Sequence, residues 1–244
     1  MCINRVRKNA LFQGVCKCIV LCLLSAGMLI ISSCGDDNSA MTSEKDIIKN
    51  GESNSYNAKV EISMEEAIAI GLKEATQYYD DLQLTSVYSY DNDYVRKIDA
   101  GKDGKREWWY VSFGNEQNNY VNVLVMDGEI VSVFQADDNA NSGLINTEDI
   151  KMTAEEAVAR AVEIGLIGGN PDDESQWVSG YNFSLSYGSL VSEPDIYRVF
   201  LEVIGISPNG NFAHIDFDAT TGECILVEEK WEYENGNVAW TAWE

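Results

Sequence analysis

The sequence predicts an α+β fold of two tandem repeats, each one amphipathic helix packed on an antiparallel β-sheet of about four strands. Three observations predict it. The stretch beginning at Ile62 returns at Met152, an offset of 90 residues. After each copy the apolar period changes from helical spacing to two, the mark of strands with one buried face. Glycine-bearing turn signals then cut each two-period stretch into hairpins.

The chain has 244 residues, with 17 Lys and Arg against 40 Asp and Glu. Residues 1–33 carry Arg5, Arg7, Lys8 and Lys17 and no acid, so 13 bases face 40 acids in the remainder, a net charge of −27. Such a body repels phosphate backbones and argues against nucleic-acid binding. Its 45% hydrophobic content still separates it from a disordered acidic tail.

Residues 1–33 read as a signal peptide. A basic stretch precedes Cys18–Ile31, a 14-residue uncharged run. That run suits an export signal, since a membrane-spanning helix needs about 20 apolar residues. Ile31-Ser32-Ser33-Cys34 follows. It resembles the lipobox of bacterial lipoproteins, with Ile31 where that family prefers Leu. The resemblance implies cleavage before Cys34 and a diacylglycerol on its thiol, hence anchorage to the bacterial cell membrane on its extracytoplasmic side. The plainer alternative is a secretory signal with an incidental cysteine. Residues 34–58 read as lipidated cysteine and polar tether, with a reach of roughly 25–30 Å. Of six cysteines only Cys224 lies beyond Cys34, so no disulfide framework is expected, and Cys224 reads as a small strand hydrophobe.

Residues 59–136 form the first unit. Ser63 and Glu66 make a capping box ahead of Ile68, Leu72, Ala75 and Tyr79 at helical spacing. Strands are expected over Leu84–Tyr90, Glu107–Phe113, Tyr120–Met126 and Glu129–Phe134, the last two joined by Asp127-Gly128. Residues 137–150 read as a linker. Residues 151–244 repeat the plan. Thr153 and Glu156 cap a helix with Val158, Val162 and Gly165 on its face, ending by Gly168-Gly169-Asn170-Pro171. Strands are expected over Tyr181–Tyr187, Ile196–Ile204, Phe212–Phe217 and Cys224–Glu229. An aromatic hairpin turning at Asn235-Gly236-Asn237 closes the chain.

Ile215-Asp216-Phe217-Asp218-Ala219-Thr220-Thr221-Gly222-Glu223-Cys224-Ile225, with the helix opening Thr153-x-x-Glu156-Ala157, resembles the PepSY domain. That family is a small secreted α+β module found in propeptides of thermolysin-like metallopeptidases and in envelope lipoproteins. The first unit matches through Trp109-Tyr110-Val111 and departs in its shortened turn, Met126-Asp127-Gly128-Glu129. The resemblance implies a non-enzymatic binding or peptidase-regulating module, with a secreted peptidase or another envelope protein as partner. A reading of a different class is a structural or ligand-sensing envelope lipoprotein that takes cations or wall polymer through its acidic loops.

Little in the residues points to catalysis. His214, the single histidine, alternates with Ala213 and Ile215 and reads as a surface or hairpin-pair residue. GxSxG, SxxK and HExxH are absent, and carboxylate pairs such as Asp80-Asp81, Asp172-Asp173 and Glu228-Glu229 are expected from acid content alone. Asp137–Glu148 sets oxygens at positions 1, 3, 5 and 12 of a calcium-type loop, with its glycine one place late. Lacking flanking helices, it reads rather as linker. No catalytic, cofactor or metal residue is therefore assigned. Trp231, Tyr233, Trp240 and Trp243 could stack on a ligand or close the core, and Trp108-Trp109 poses the same choice.

Overall fold

Helix starts are encoded locally and appear where the capping boxes stand. In the computed structural model, which describes residues 60–91, 97–136, 143–173, 176, 178–233 and 236–243, α1 runs over Met64–Ala75 and α2 over Ala154–Ile164. The Ser63 hydroxyl accepts from the Glu66 amide at 3.2 Å, and the Glu66 carboxylate accepts from the Ser63 amide at 2.8 Å. Thr153 and Glu156 repeat the exchange at 3.2 and 3.1 Å. Each box satisfies two amides that a helix start leaves without partners. Gly165 ends α2 in the left-handed region, at φ 116°. Thr76 caps α1, so Tyr79 lies beyond the helix, and Val162 is exposed rather than on the buried face.

Most strands fall close to the expected stretches, and the two-residue strands at Ile62–Ser63 and Lys105–Arg106 answer to none of them. The strands are β1 (Ile62–Ser63), β2 (Gln83–Tyr90), β3 (Lys105–Arg106), β4 (Trp108–Gly114), β5 (Tyr120–Met126), β6 (Glu129–Ala136), β7 (Asn182–Leu190), β8 (Glu193–Ile206), β9 (Phe212–Asp218), β10 (Cys224–Glu232) and β11 (Val238–Thr241). The β5–β6 turn holds Asp127 at φ 52° and Gly128 at φ 77°. Two successive left-handed residues suit the right-handed twist of a tight hairpin, which is why an Asp-Gly pair sits there.

The expected fold class is overturned by how these strands assemble. The chain is mostly β, built on one nine-stranded antiparallel sheet of order β11-β10-β9-β8-β7-β2-β4-β5-β6, and not two helix-on-sheet repeats. The α+β sandwich implied by the resemblance fails with it. The cause is the seam between β2 and β7, where Ser86, Val87 and Tyr88 pair with Ser186, Leu185 and Ser184. A four-stranded sheet standing alone would leave β2 or β7 as an edge of unpaired amides and carbonyls. Pairing the two edges removes both, and five strands then run outward from the seam on the β7 side and four on the β2 side.

One core results. Val87 and Leu185 face each other across the seam, and Val111, Val123, Leu201, Val203, Ile215 and Phe217 continue the same face with no measurable exposure beyond 1%. Ala67, Ile68 and Ala75 of α1 join Ala154, Ala157, Val158 and Ala161 of α2 in that single cluster. A side chain on Gly71 would lie 3.1 Å from the Phe113 ring, so its absence lets α1 approach the sheet closely. Trp109 is fully buried, stacks at 6.1 Å on Phe183 across the seam and donates its indole N–H to the Ile62 carbonyl at 3.0 Å. Trp108 faces the opposite way and is half-buried, as expected of neighbours on a strand.

Candidate functional site

Both helices occupy one face of the sheet, so alternation along each strand decides what the other face displays. Register places Tyr88 of β2 beside Tyr110 of β4 and Ser184 of β7, then Glu202 of β8 and Asp216 of β9 in the same cross-strand row. The adjacent row carries Ile204, His214 and Glu228 of β8, β9 and β10. Two features emerge on this helix-free face: a tyrosine cluster and a carboxylate–imidazole cluster, two strands apart, or about 10 Å.

The tyrosine cluster has Tyr88 at its centre. Its ring lies 4.9 Å from Tyr110, stacked at 27°, and 4.9 Å from Tyr90, edge-on at 65°. Burial raises the Tyr90 and Tyr110 hydroxyls above the usual phenol range, so both remain neutral at physiological pH. All three rings are half-buried. They offer aromatic area whose side-chain freedom is already restricted, the kind of surface that binding sites favour.

In the second cluster, His214 Nδ1 lies 2.9 Å from Asp216 Oδ1 and 3.3 Å from Glu202 Oε1. His214 Nε2 lies 3.9 Å from Glu228 Oε2. Trp240, on β11, sets its ring edge-on to the imidazole at 4.9 Å and limits its motion. Burial disfavours the imidazolium, but the hydrogen bond to Asp216 and the charges of Asp216, Glu202 and Glu228 outweigh it and push His214 up to about 9. Burial and the facing Asp216 charge push the Glu202 carboxyl up to about 7, against the pull of His214 and a hydrogen bond from Ser184. Glu228 is raised for the same two reasons. Three acids thus share one base, and Glu202 faces Asp216 directly across strands, an arrangement that costs stability when both are ionised.

His214 reads from the sequence as a surface or hairpin-pair strand residue; it opposes Glu228 across the β9–β10 pair and is mostly covered rather than on the surface. Sequence reasoning missed the cluster, because Glu202 lies 12 residues before His214 and meets it only through the β8–β9 register. The signal was present as alternation: Glu202, Ile204, His214, Asp216 and Glu228 all fall on polar-side positions of three consecutive strands. Glu228 and Glu229 meet opposite fates. Glu229 points to the helix side, is buried, and accepts hydrogen bonds from Ser207, Asn209, Asn211 and Trp231 at 2.5 to 3.2 Å. Burial alone would raise its carboxyl, yet these donors hold it below the usual carboxylate range.

The remaining expectations divide. The carboxy-terminal hairpin forms through β10 and β11, with Trp243 buried in the core, Trp240 over His214 and Trp231 exposed. Cys224 is half-buried against the core. Cys34 with residues 1–58, and Asp137 to Ser142 of the calcium-type stretch, lie outside the described residues. Among the described residues no helix is long and apolar enough to cross a membrane. Comparison with known proteins adds no relative: no family model, no curated protein and no solved structure matches the chain.

Proposed function

We propose that this chain is a non-enzymatic binding module of the cell envelope, held to the membrane by lipid on Cys34, that receives a positively charged segment of another extracytoplasmic protein. The observation that carries the reading is the helix-free face, where Tyr88, Tyr90 and Tyr110 gather beside an acid-rich patch. A protein whose bases are outnumbered 17 to 40 attracts basic partners and repels acidic ones. Aromatic rings add cation–π contact to lysine and arginine side chains, of the order of 0.5–2 kcal/mol each. The resemblance of the second hairpin to the PepSY domain favours a secreted peptidase as one such partner, in a regulatory role.

The test is titration of the purified protein with a lysine-rich peptide and its glutamate-substituted counterpart, read by nuclear magnetic resonance. The lysine peptide is expected to shift the Tyr88, Tyr90 and Tyr110 ring signals saturably, with weakening at higher salt. Equal responses to both peptides, or shifts confined to the helix side, would overturn the reading.

A further inference from the structure

We propose that Glu202, His214 and Asp216 form a binding site for a divalent transition-metal ion of the zinc class, coordinated through His214 Nδ1. The site lies within the acid-rich patch of the polypeptide reading above but needs no partner to fill, and it is read at the His214 ring nitrogens rather than at the tyrosine rings.

Placement comes first. His214 and Asp216 are two residues apart on β9 and so project to one face, and Asp216 pairs directly with Glu202 of β8. Two adjacent strands of a sheet thereby converge three ligand atoms, all within 4.8 Å of one another. Zinc-class ions bind imidazole nitrogen and carboxylate oxygen at about 2.0–2.2 Å, which sets neighbouring ligand atoms roughly 3 Å apart. The Nδ1 to Asp216 and Nδ1 to Glu202 separations of 2.9 and 3.3 Å already match that edge length. The third edge, between the Asp216 and Glu202 oxygens, lies within 4.8 Å, so small side-chain adjustments complete the set.

The donor set also selects the ion. Calcium and magnesium prefer all-oxygen shells, whereas an imidazole with two carboxylates suits zinc, manganese, cobalt or nickel. The three ligands come from one side only, as the sheet lies beneath them. Remaining coordination positions therefore point outward, where water or a partner's side chain can enter. Support around the ligands is in place. Ser184 hydrogen-bonds Glu202, Trp240 packs edge-on against the imidazole, and Glu228 Oε2 lies 3.9 Å from Nε2 on the ring's far side. At that distance Glu228 makes no hydrogen bond to the ring and contributes only its charge beside the nitrogen opposite the metal. A divalent cation would relieve the repulsion between Glu202 and Asp216 that the empty cluster carries.

Because His214 is the single histidine, one pair of ring nitrogen signals reports the site. The experiment is a zinc titration of the whole exported chain, purified without a polyhistidine tag and followed by imidazole 15N resonance. Stoichiometric zinc should shift the Nδ1 signal to that of a metal-bound nitrogen while Nε2 keeps its proton, and millimolar calcium should leave both unchanged. Asp216→Asn, which keeps the shape of the side chain, should weaken zinc binding at least tenfold, and Glu163→Gln on exposed α2 should not. An Nδ1 signal unmoved by excess zinc, a shift at Nε2 instead, or equal affinity in Asp216→Asn would overturn the proposal.

Discussion

At the scale of single residues, neighbours in sequence part company through strand alternation. Glu228 and Glu229 illustrate it: one joins the acid cluster around His214 with its carboxyl raised, the other is caged by four donors and held ionised. The cluster dictates a pH response in protein kept metal-free with chelator. Glu202 titrates at about 7 in the fold against 4.5 ordinarily, and His214 at about 9 against 6.5. Both folded values are raised, so the native state binds more protons than the unfolded chain between pH 4.5 and 9, and stability falls as pH rises through that window. Glu229 acts oppositely, its lowered carboxyl withdrawing stability as pH falls below the ordinary carboxylate range. Thermal unfolding should therefore show a maximum near pH 5 and a decline toward pH 9. His214→Gln should flatten the limb above pH 6.5, where Glu202, Asp216 and Glu228 are the groups facing the ring. A melting temperature that climbs from pH 6 to 9 would contradict this assignment.

Elements were legible in the sequence wherever the signal is local. Capping boxes at Ser63 and Thr153 and the Asp127-Gly128 turn each act within four residues, so they appear where read. Ser63→Ala and Thr153→Ala should each cost about 1 kcal/mol in chemical denaturation. What the sequence left open was edge pairing, because nothing in Leu84–Tyr90 or Tyr181–Tyr187 marks one strand as the other's neighbour. Polar groups that lock the seam were equally hidden. Buried Arg106 donates to Asp91 at 2.7 Å and to the Ser179 carbonyl at 3.1 Å, and Asp91 also accepts from the Ser179 amide and Asn182. These contacts cross from the first half of the sheet to the second, spanning up to 91 positions. Arg106→Ala takes the cation from the half-buried Asp91 carboxylate, leaving it only the Ser179 and Asn182 donors, and should lower stability by about 1–3 kcal/mol. A loss under 1 kcal/mol would mean that the network does not hold the halves together.

At the scale of the molecule, the internal repeat builds a single sheet with two unlike faces. One face is closed by α1, α2 and the core that runs through Val87 and Leu185. The other gathers Tyr88, Tyr90 and Tyr110 with the His214 cluster, drawn from both halves by register across the seam. Neither half alone carries both features. The candidate site was hidden from sequence reasoning for the same reason as the fold: its members meet only once the strand order is known. The most direct measurement compares affinity for the lysine-rich peptide between Tyr110→Ala and Val162→Ala, the latter an exposed apolar residue of α2. Binding should weaken at least tenfold in Tyr110→Ala and stay unchanged in Val162→Ala. Equal affinities, or a loss confined to Val162→Ala, would contradict the helix-free face as the working surface.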